Sequence, residues 1–372
     1  MRIAIVGQKR IPSLEGGVEV VVEELATRMA MRGHEVVCFN RKGHHVSGKQ
    51  FDADKPAQWK GVKIHYVPTI PRRGLAAVTS SFFGCLYAAF GKFDVVHIHA
   101  EGPAAFSWIP RLLGKKVVFT VHGLDWARSK WKGGIGSIYI RVGEWVGVHC
   151  AHEIIVLNRA NQRYFKQTYG RDTHFIPNGV ERAVPVEPLE IREKYQLEKG
   201  SYILYLGRIV PEKGEHYLIK AYKKLHTDKK LVIAGGGSDA WRYENEIIKM
   251  AADNDNIIFT GFVYGRRREE LYSNAYFYVL PSDLEGMPLS LLEAMSYGNC
   301  VLTSDIDECS TIVEDKGVTF HKADVDDLAE KMQMLCDDEK LVERYKENVA
   351  DYICKKYQWD NIVEQILELY RR

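Results

Sequence analysis

Two glutamates, Glu285 and Glu293, stand eight residues apart on either side of a helix start that the sequence predicts. Pro288 suits the first helical position and Gly298 suits the C-terminal stop. Glu285 then lies in the preceding loop, and Glu293 lies on the second helical turn. At ~1.5 Å per residue the two carboxylates could lie up to ~12 Å apart. The N–H groups and the positive dipole end at the helix start would attract a phosphate-type anion between them.

A pair of cations, Arg208 and Lys213, spans a predicted strand-to-helix turn. A guanidinium can grip two phosphate oxygens, and an ammonium adds a mobile point charge. Together they could offset about two negative charges on a departing diphosphate. A surface pair is the alternative for any Arg and Lys at this spacing. The four residues suit a diphosphate with hydroxylated groups on both sides, as in a nucleotide sugar.

Glycines and a histidine follow predicted strands in the first half of the chain. Gly16 and Gly17 lack the G-x-G-x-x-G order of a dinucleotide site. We interpret them as a loop that enters a helix N-terminus and closes over phosphates, with an ordinary loop as an equal alternative. His122 could hydrogen-bond a sugar hydroxyl or a leaving-group oxygen, although a single histidine is more often structural.

Aromatic and charged residues next to His122 indicate an acceptor side, with Glu101, Asp125, Trp126 and Arg128 as its candidates. Aromatic faces suit sugars, while basic groups suit anionic lipid head groups or a lipid-linked diphosphate. A solvated loop with snorkelling side chains is the alternative.

Neither acidic pairs nor cysteines predict a metal site. The D-x-D patterns at residues 305–307 and 324–326 are short enough to occur by chance, so we expect no metal. The seven cysteines are scattered, odd in number and form no C-x-x-C pair, which indicates a reducing compartment.

The composition is that of a soluble globular protein, with 46% apolar and 27% charged residues among 372. A net charge of +2 does not predict a nucleic-acid partner. The first strand pattern begins directly after Met1 and leaves no room for a signal peptide, so we expect a cytoplasmic protein. The uncharged stretch 74–91 lies between two strand patterns and is interpreted as a crossover helix.

Strand and helix patterns alternate along the whole chain, with six strand candidates in each half. This alternation predicts parallel sheets built from right-handed βαβ units. We expect an α/β protein with two Rossmann-like domains, residues 1–183 and 184–356, whose sheets face each other across a cleft. A last helix at 357–372 is expected to pack back on the first domain.

Taken together, the motifs resemble those of retaining GT-B glycosyltransferases in family four, which includes many bacterial surface-polysaccharide enzymes. The resemblance covers nearly the whole chain. It is carried by the E-x7-E spacing, the Arg-x4-Lys pair and the segment 176–179, Ile-Pro-Asn-Gly. The segment 121–126, Val-His-Gly-Leu-Asp-Trp, with Gly16 and Gly17, is similar to a branch that contains rhamnosyltransferases.

The resemblance implies a role for each motif. Arg208 and Lys213 would hold the donor diphosphate, Glu293 the ribose and Glu285 the transferred sugar. His122 would face that sugar and complete a catalytic set with Glu285, Lys213 and Arg208. The implied donor-binding set is Gly16, Gly17, Arg208, Lys213, Gly261, Phe262, Val263, Glu285, Gly286, Met287, Pro288, Leu289 and Glu293. The sequence departs from the family pattern at Asn158, where serine is frequent, and at Asp307-Glu308, where glycines are frequent.

The expected activity is transfer of a hexose or deoxyhexose from a UDP-, GDP- or dTDP-linked donor to a glycan or lipid-linked acceptor. Retention of anomeric configuration, absence of a metal or other cofactor, and peripheral contact with the inner membrane face are expected with it. Three alternatives stay open from the sequence: a non-enzymatic nucleotide-sugar-binding module, an epimerase and a glycan phosphorylase.

Overall fold

The computed structural model describes residues 1–13, 16–43, 55–72, 74–127, 134–237 and 240–372. Contacts between Cα atoms divide them into two compact units. Unit 1 contains Met1–Asn178 together with Trp359–Arg372, and unit 2 contains Gly179–Gln358. The last helix therefore belongs to the same unit as the first strand.

The strands in chain order are β1 Arg2–Val6, β2 Glu35–Arg41, β3 Gln58–Trp59, β4 Val62–Val67, β5 Val95–His99, β6 Lys116–Val121, β7 Glu153–Val156, β8 His174–Phe175, β9 Tyr202–Leu206, β10 Lys230–Ala234, β11 Ile257–Gly261, β12 Phe277–Leu280, β13 Val301–Ser304 and β14 Val318–Phe320.

The helices in chain order are α1 Gly17–Met31, α2 Leu75–Phe90, α3 Glu101–Ala104, α4 Trp108–Leu112, α5 Ile135–Cys150, α6 Arg159–Tyr169, α7 Glu190–Tyr195, α8 Glu215–Tyr222, α9 Trp241–Ala251, α10 Gly265–Asn274, α11 Leu289–Ser296, α12 Asp307–Val313, α13 Val325–Asp337, α14 Glu339–Lys346, α15 Val349–Lys356 and α16 Trp359–Arg371.

Unit 1 is built on a sheet with the strand order β3-β4-β2-β1-β5-β6-β7-β8. All neighbouring strands are parallel except β3 and β4. All five residues of β5 are buried, as expected for a strand covered by helices on both faces. Helix α16 packs against α1 and buries its apolar face, including Ile362, Ile366 and Tyr370.

Unit 2 is built on a fully parallel sheet with the order β11-β10-β9-β12-β13-β14. Strand β9 pairs with β10 on one side and with β12 on the other, so the strand order reverses at β9. In open parallel sheets this reversal opens a crevice beyond the carboxyl ends of the strands, where ligands bind. The equivalent reversal in unit 1 lies between β1 and β5.

The predicted fold class, two parallel-sheet Rossmann-like α/β units, is confirmed. The sequence missed β3 and β8, since a two-residue strand is too short to show alternation. The uncharged stretch 74–91 forms helix α2, as predicted. Among the described residues, no helix combines the length and the apolar content needed to cross a bilayer.

Candidate functional site

Arg208 lies at the strand reversal of unit 2, two residues beyond the end of β9. Its side chain is half-buried and forms no hydrogen bond or ion pair with any residue within the described ranges. The backbone carbonyl of Arg208 accepts the Tyr205 hydroxyl at 3.0 Å, which fixes the main chain at this point. The sheet therefore carries an uncompensated guanidinium at the edge where parallel sheets bind ligands.

Lys213 ends a single 3₁₀ turn, Pro211–Lys213, that connects this edge to α8. Gly214 follows with φ +75°, and a Cβ atom there would lie 2.0 Å from the Pro281 carbonyl oxygen. The Asp283 N–H donates to the Glu212 carbonyl at 2.9 Å. Only glycine permits this close approach, and the approach pins the turn that carries Lys213 to the loop after β12.

Glu285 lies in that loop and is paired directly with Lys213. The Lys213 Nζ and Glu285 Oε1 atoms are 2.5 Å apart, and the two side chains are only 13% and 8% exposed. The Ser282 hydroxyl also donates to Glu285 Oε1, at 2.7 Å. Two residues that the sequence places 72 positions apart thus form one nearly buried ion pair at the strand reversal.

Helix α11 begins at Leu289, and no side chain in the described part of the protein caps its start. Pro288 has ψ 106° and is the residue before the helix, so its predicted place as the first helical residue was wrong by one position. The buried Tyr278 of β12 donates to the Ser290 hydroxyl oxygen at 2.9 Å and so ties the helix start to the sheet. The segment between Glu285 and this helix contains Gly286 and Met287, and Leu289 is the first helical residue.

Glu293 lies on the second turn of α11, as predicted, where two residues missed by the sequence reasoning hold it. The Arg268 guanidinium of α10 forms an ion pair with Glu293 Oε1. The Tyr272 hydroxyl donates to Glu293 Oε2 at 3.1 Å. The Glu293 side chain keeps 23% of its surface exposed, so this carboxylate is oriented yet still accessible.

Gly261 ends β11, and Phe262 and Val263 follow it at the same edge of the unit 2 sheet. Gly261 has φ +66°, and its carbonyl accepts the Gly235 N–H at 2.9 Å. The Phe262 and Tyr264 rings are nearly parallel, with centroids 6.3 Å apart. These contacts give the segment a defined backbone conformation beside the end of β10.

In unit 1, Gly16 and Gly17 lie at the start of α1, as the loop-to-helix interpretation predicts. The buried Glu19 of the first helical turn accepts the Lys9 N–H at 2.9 Å and so holds the loop after β1. The sequence did not predict this role of Glu19, because acidic residues are common in the first turn of any helix.

His122 follows β6 and belongs to a row of three histidines. His99 Nδ1 and His122 Nε2 are 2.9 Å apart, while His97 bonds the Tyr370 hydroxyl at 2.6 Å and Thr120 Oγ1 at 2.7 Å. Burial lowers the pKa of His97 to about 3 and the pKa of His99 well below its usual value. Both residues are therefore neutral at physiological pH, and neutral rings at the end of β5 fix the position of His122.

The predicted acceptor-side residues Glu101, Asp125 and Trp126 meet in unit 1. Glu101 Oε2 accepts the Asp125 N–H at 2.8 Å, and the Trp126 indole N–H donates to Glu144 at 3.0 Å. Arg128 lies outside the described residues.

Several acidic residues with metal-like spacing have structural partners. Asp324 caps α13 by accepting the Asp326 and Asp327 N–H groups at 2.9 and 3.0 Å. Asp305 accepts the Lys322 N–H at 2.9 Å. These helix-cap and loop contacts account for their presence.

Both departures from the family pattern have local explanations. Asn158 caps α6, with its side-chain oxygen accepting the Asn161 N–H at 2.7 Å, a contact that serine could also make. Asp307 and Glu308 form the first turn of α12, where the helix dipole favours negative charge.

Comparison with known proteins agrees with this architecture. Residues 15–184 match the model described as Glycosyltransferase Family 4, and residues 189–352 match the model described as Glycosyl transferases group 1. An uncharacterised glycosyltransferase of Methanocaldococcus jannaschii is 24% identical over 400 aligned positions, which cover 100% of this chain and 98% of that protein.

Two solved structures share the fold. Sucrose-phosphate synthase from Thermosynechococcus elongatus superposes with a TM-score of 0.83 at 22% identity, covering 100% of this chain and 98% of the other. The HepE protein of Anabaena in complex with UDP-glucose superposes with a TM-score of 0.81 at 18% identity, covering 99% of both chains.

The sheets, the two matched models and these structures define the chain as a glycosyltransferase with the GT-B fold. The Glycosyltransferase Family 4 match lies mostly in unit 1, and the Glycosyl transferases group 1 match lies in unit 2.

Proposed function

We propose that the chain transfers a sugar from a nucleotide-sugar donor that binds on unit 2. The observation that carries this proposal is the Lys213–Glu285 pair at the strand reversal, between Arg208 and the start of α11. The two cations and the helix start suit a diphosphate. UDP-glucose bound to the structurally similar Anabaena protein supports a nucleotide sugar as the ligand.

The carboxylates of Glu293 and Glu285 contact different parts of the donor. Glu293, oriented by Arg268 and Tyr272, accepts hydrogen bonds from the ribose hydroxyls. Glu285 orients the transferred sugar after its partner Lys213 turns to the diphosphate. The main chain at 287–289 contributes N–H groups to the phosphates, and the segment 261–263 borders the base.

The reaction proceeds with retention and without an enzyme nucleophile. The acceptor hydroxyl attacks the anomeric carbon, the bond to the diphosphate oxygen breaks, and the hydroxyl proton passes to that departing oxygen. Arg208 and Lys213 stabilise the negative charge that develops on the diphosphate. Proton NMR of the first product reports its anomeric configuration, and an inverted product would overturn this mechanism.

No metal is needed in this scheme, because the two side-chain cations supply the positive charge. Transfer in the presence of excess EDTA should equal transfer in its absence. A rate restored only by Mg²⁺ or Mn²⁺ would contradict metal independence.

The acceptor is a cell-surface glycan precursor, soluble or lipid-linked, that the protein meets at the inner membrane face. Exposed Ile138, Val142 and Trp145 lie along one face of α5, with the exposed Arg141 among them. Apolar side chains beside a cation suit an anionic lipid surface. Trp145→Ser should reduce co-sedimentation with phosphatidylglycerol vesicles, whereas Met31→Ser on α1 should not. Equal binding by both variants would overturn the membrane contact.

The donor is identified in two steps. Thermal shift with UDP, GDP, dTDP and ADP selects the base, because a ligand at 100 times its Kd stabilises by about 2.7 kcal/mol. The matching nucleotide sugars are then incubated with glycan and lipid-linked diphosphate acceptors, and released nucleoside diphosphate is measured. Absence of a shift with every nucleotide, or equal turnover in wild type and in Lys213→Met, would overturn the donor site. Free phosphate as acceptor detects a phosphorylase.

A further inference from the structure

Two buried carboxyl groups, Glu101 and Glu144, lie side by side in unit 1. Their exposed fractions are 0% and 1%. Glu101 begins α3 and Glu144 lies in α5, and these helices pack against each other. A Cβ atom on Gly143 would lie 2.2 Å from the Glu101 carbonyl oxygen, so only glycine allows this approach. The close packing brings the two carboxyl groups into contact.

Glu144 is surrounded by hydrogen-bond donors. Its Oε1 atom accepts the Tyr164 hydroxyl at 2.8 Å and also the Tyr169 hydroxyl. Its Oε2 atom accepts the Trp126 indole N–H at 3.0 Å. Three donors therefore converge on the two oxygens of this buried side chain.

Glu101 is in the opposite situation. Its Oε2 atom accepts the Asp125 N–H. If Glu101 is a carboxylate, its buried Oε1 atom has no hydrogen-bond partner among the described residues. An unsatisfied buried oxygen of this kind is costly. A proton on Glu101 removes the cost, because the carboxyl group then donates to the adjacent Glu144.

Within the described ranges, no lysine or arginine of the neighbouring elements forms an ion pair with Glu101. Helix α2 contains no charged residue, Tyr139 of α5 donates to the Gly102 carbonyl, and the Arg141 guanidinium instead lies 4.4 Å from the Trp126 ring centroid. Burial, the Asp125 charge and Glu144 raise the pKa of Glu101 well above its usual value, against a lowering contribution from the Asp125 N–H.

We propose that Glu101 and Glu144 share one proton and that this carboxyl–carboxylate pair is the device that positions the turn Asp125–Ala127. Glu101 holds the backbone of the turn and Glu144 holds its indole. The role of the turn as the acceptor side rests on the proposed function, whereas the shared proton does not. Both glutamates are positioning residues, since they act through Asp125 and Trp126.

The pair makes the turn sensitive to alkaline pH. Loss of the shared proton places two like charges in a buried site, where they repel each other and release the turn. Glu101→Gln preserves the donor to Glu144 through its amide and has no proton to lose. Glu101→Leu removes the donor and the acceptor at every pH.

The test follows the fluorescence of Trp126, taken as the difference between each protein and its Trp126→Phe version, from pH 6 upward. Wild type should show a reversible alkaline transition, Glu101→Gln should lack it, and Glu101→Leu should have the released spectrum throughout. Glu215→Gln, which alters a buried carboxyl group of unit 2, serves as a matched control and should keep the wild-type transition. Infrared difference spectra between wild type and Glu101→Gln at neutral pH should show one protonated carboxyl group.

An unchanged alkaline transition in Glu101→Gln, or an infrared difference without a carboxylic acid band, overturns the shared proton. In the transfer assay Glu101→Leu should lower kcat/KM for the acceptor by roughly 10- to 100-fold, and Glu101→Gln should restore it. Nucleoside diphosphate affinity should stay constant in both. If no nucleotide binds to any of the proteins, the proposed function fails while the spectroscopic result still stands.

Discussion

Glu285→Gln should strengthen the binding of a nucleoside diphosphate while it weakens sugar transfer. In the free protein Lys213 is held by Glu285 in an ion pair that is nearly buried. A bound diphosphate must draw the ammonium away from this carboxylate. The free energy needed to break the ion pair therefore makes nucleotide binding weaker. Glutamine keeps a neutral hydrogen bond to Lys213 but removes the competing charge.

The size of the effect follows from the contact that changes. A hydrogen bond between charged groups contributes ~1.5–3 kcal/mol, and a neutral one contributes ~0.5–1.5 kcal/mol. The difference of about 1–1.5 kcal/mol corresponds to roughly 5- to 12-fold tighter binding, since 1.4 kcal/mol is tenfold in Kd. Transfer should fall at the same time, because the sugar loses the carboxylate that orients it.

Isothermal titration calorimetry with the nucleoside diphosphate chosen by thermal shift measures this change. Lys213→Met is the control background, on which most of the gain from Glu285→Gln should disappear. Weaker or unchanged binding by Glu285→Gln would refute the reasoning, because Lys213 would then not exchange Glu285 for phosphate.

Three further predictions concern unit 2. Glu293→Ala should raise the Kd for the nucleotide about tenfold, by about 1.4 kcal/mol of lost ribose contact; an unchanged Kd in calorimetry would remove Glu293 from the site. Burial raises the pKa of Glu215 to about 7, so the native state keeps a proton that the unfolded chain loses near its ordinary value. The free energy of unfolding should therefore fall by ~3 kcal/mol in total as pH rises from the ordinary pKa of a glutamate toward 7. Glu215→Gln should remove this loss, and urea midpoints of the variant and wild type that differ equally at pH 5 and pH 8 would contradict it. Gly214→Ala should destabilise by about 3 kcal/mol through positive φ and the Pro281 contact. The matched Gly298→Ala, with φ +84° and no atom within 4 Å of its Cβ, should cost about 1 kcal/mol. Equal thermal unfolding of these two variants would show that the turn is not pinned.

Local patterns account for what the sequence predicted well. The run that forms β9 is continuous and apolar because helices cover both faces of a parallel sheet. The position of Glu293 on α11 follows from spacing within one helix, which a sequence displays directly. The alternation of strands and helices was sufficient to predict two Rossmann-like units.

Contacts between distant segments were out of reach. Arg268 reaches Glu293 from another helix, and no spacing rule links the two positions. The Glu101–Glu144 pair depends on the absence of a side chain at Gly143, which a sequence does not distinguish from an ordinary helical glycine. The pairing of Lys213 with Glu285 could likewise be seen only in the fold. The two residues follow β9 and β12, and these strands are neighbours in the sheet although they are far apart in the sequence.

The central claim is that a nucleoside diphosphate binds at the strand reversal of unit 2, and a crystal structure of the complex tests it most directly. We predict that the diphosphate contacts Arg208, Lys213 and the main chain at the start of α11, with the ribose hydroxyls on Glu293. The Lys213–Glu285 ion pair should be broken in that complex. A nucleotide bound elsewhere, or an intact ion pair beside a bound diphosphate, would contradict the account.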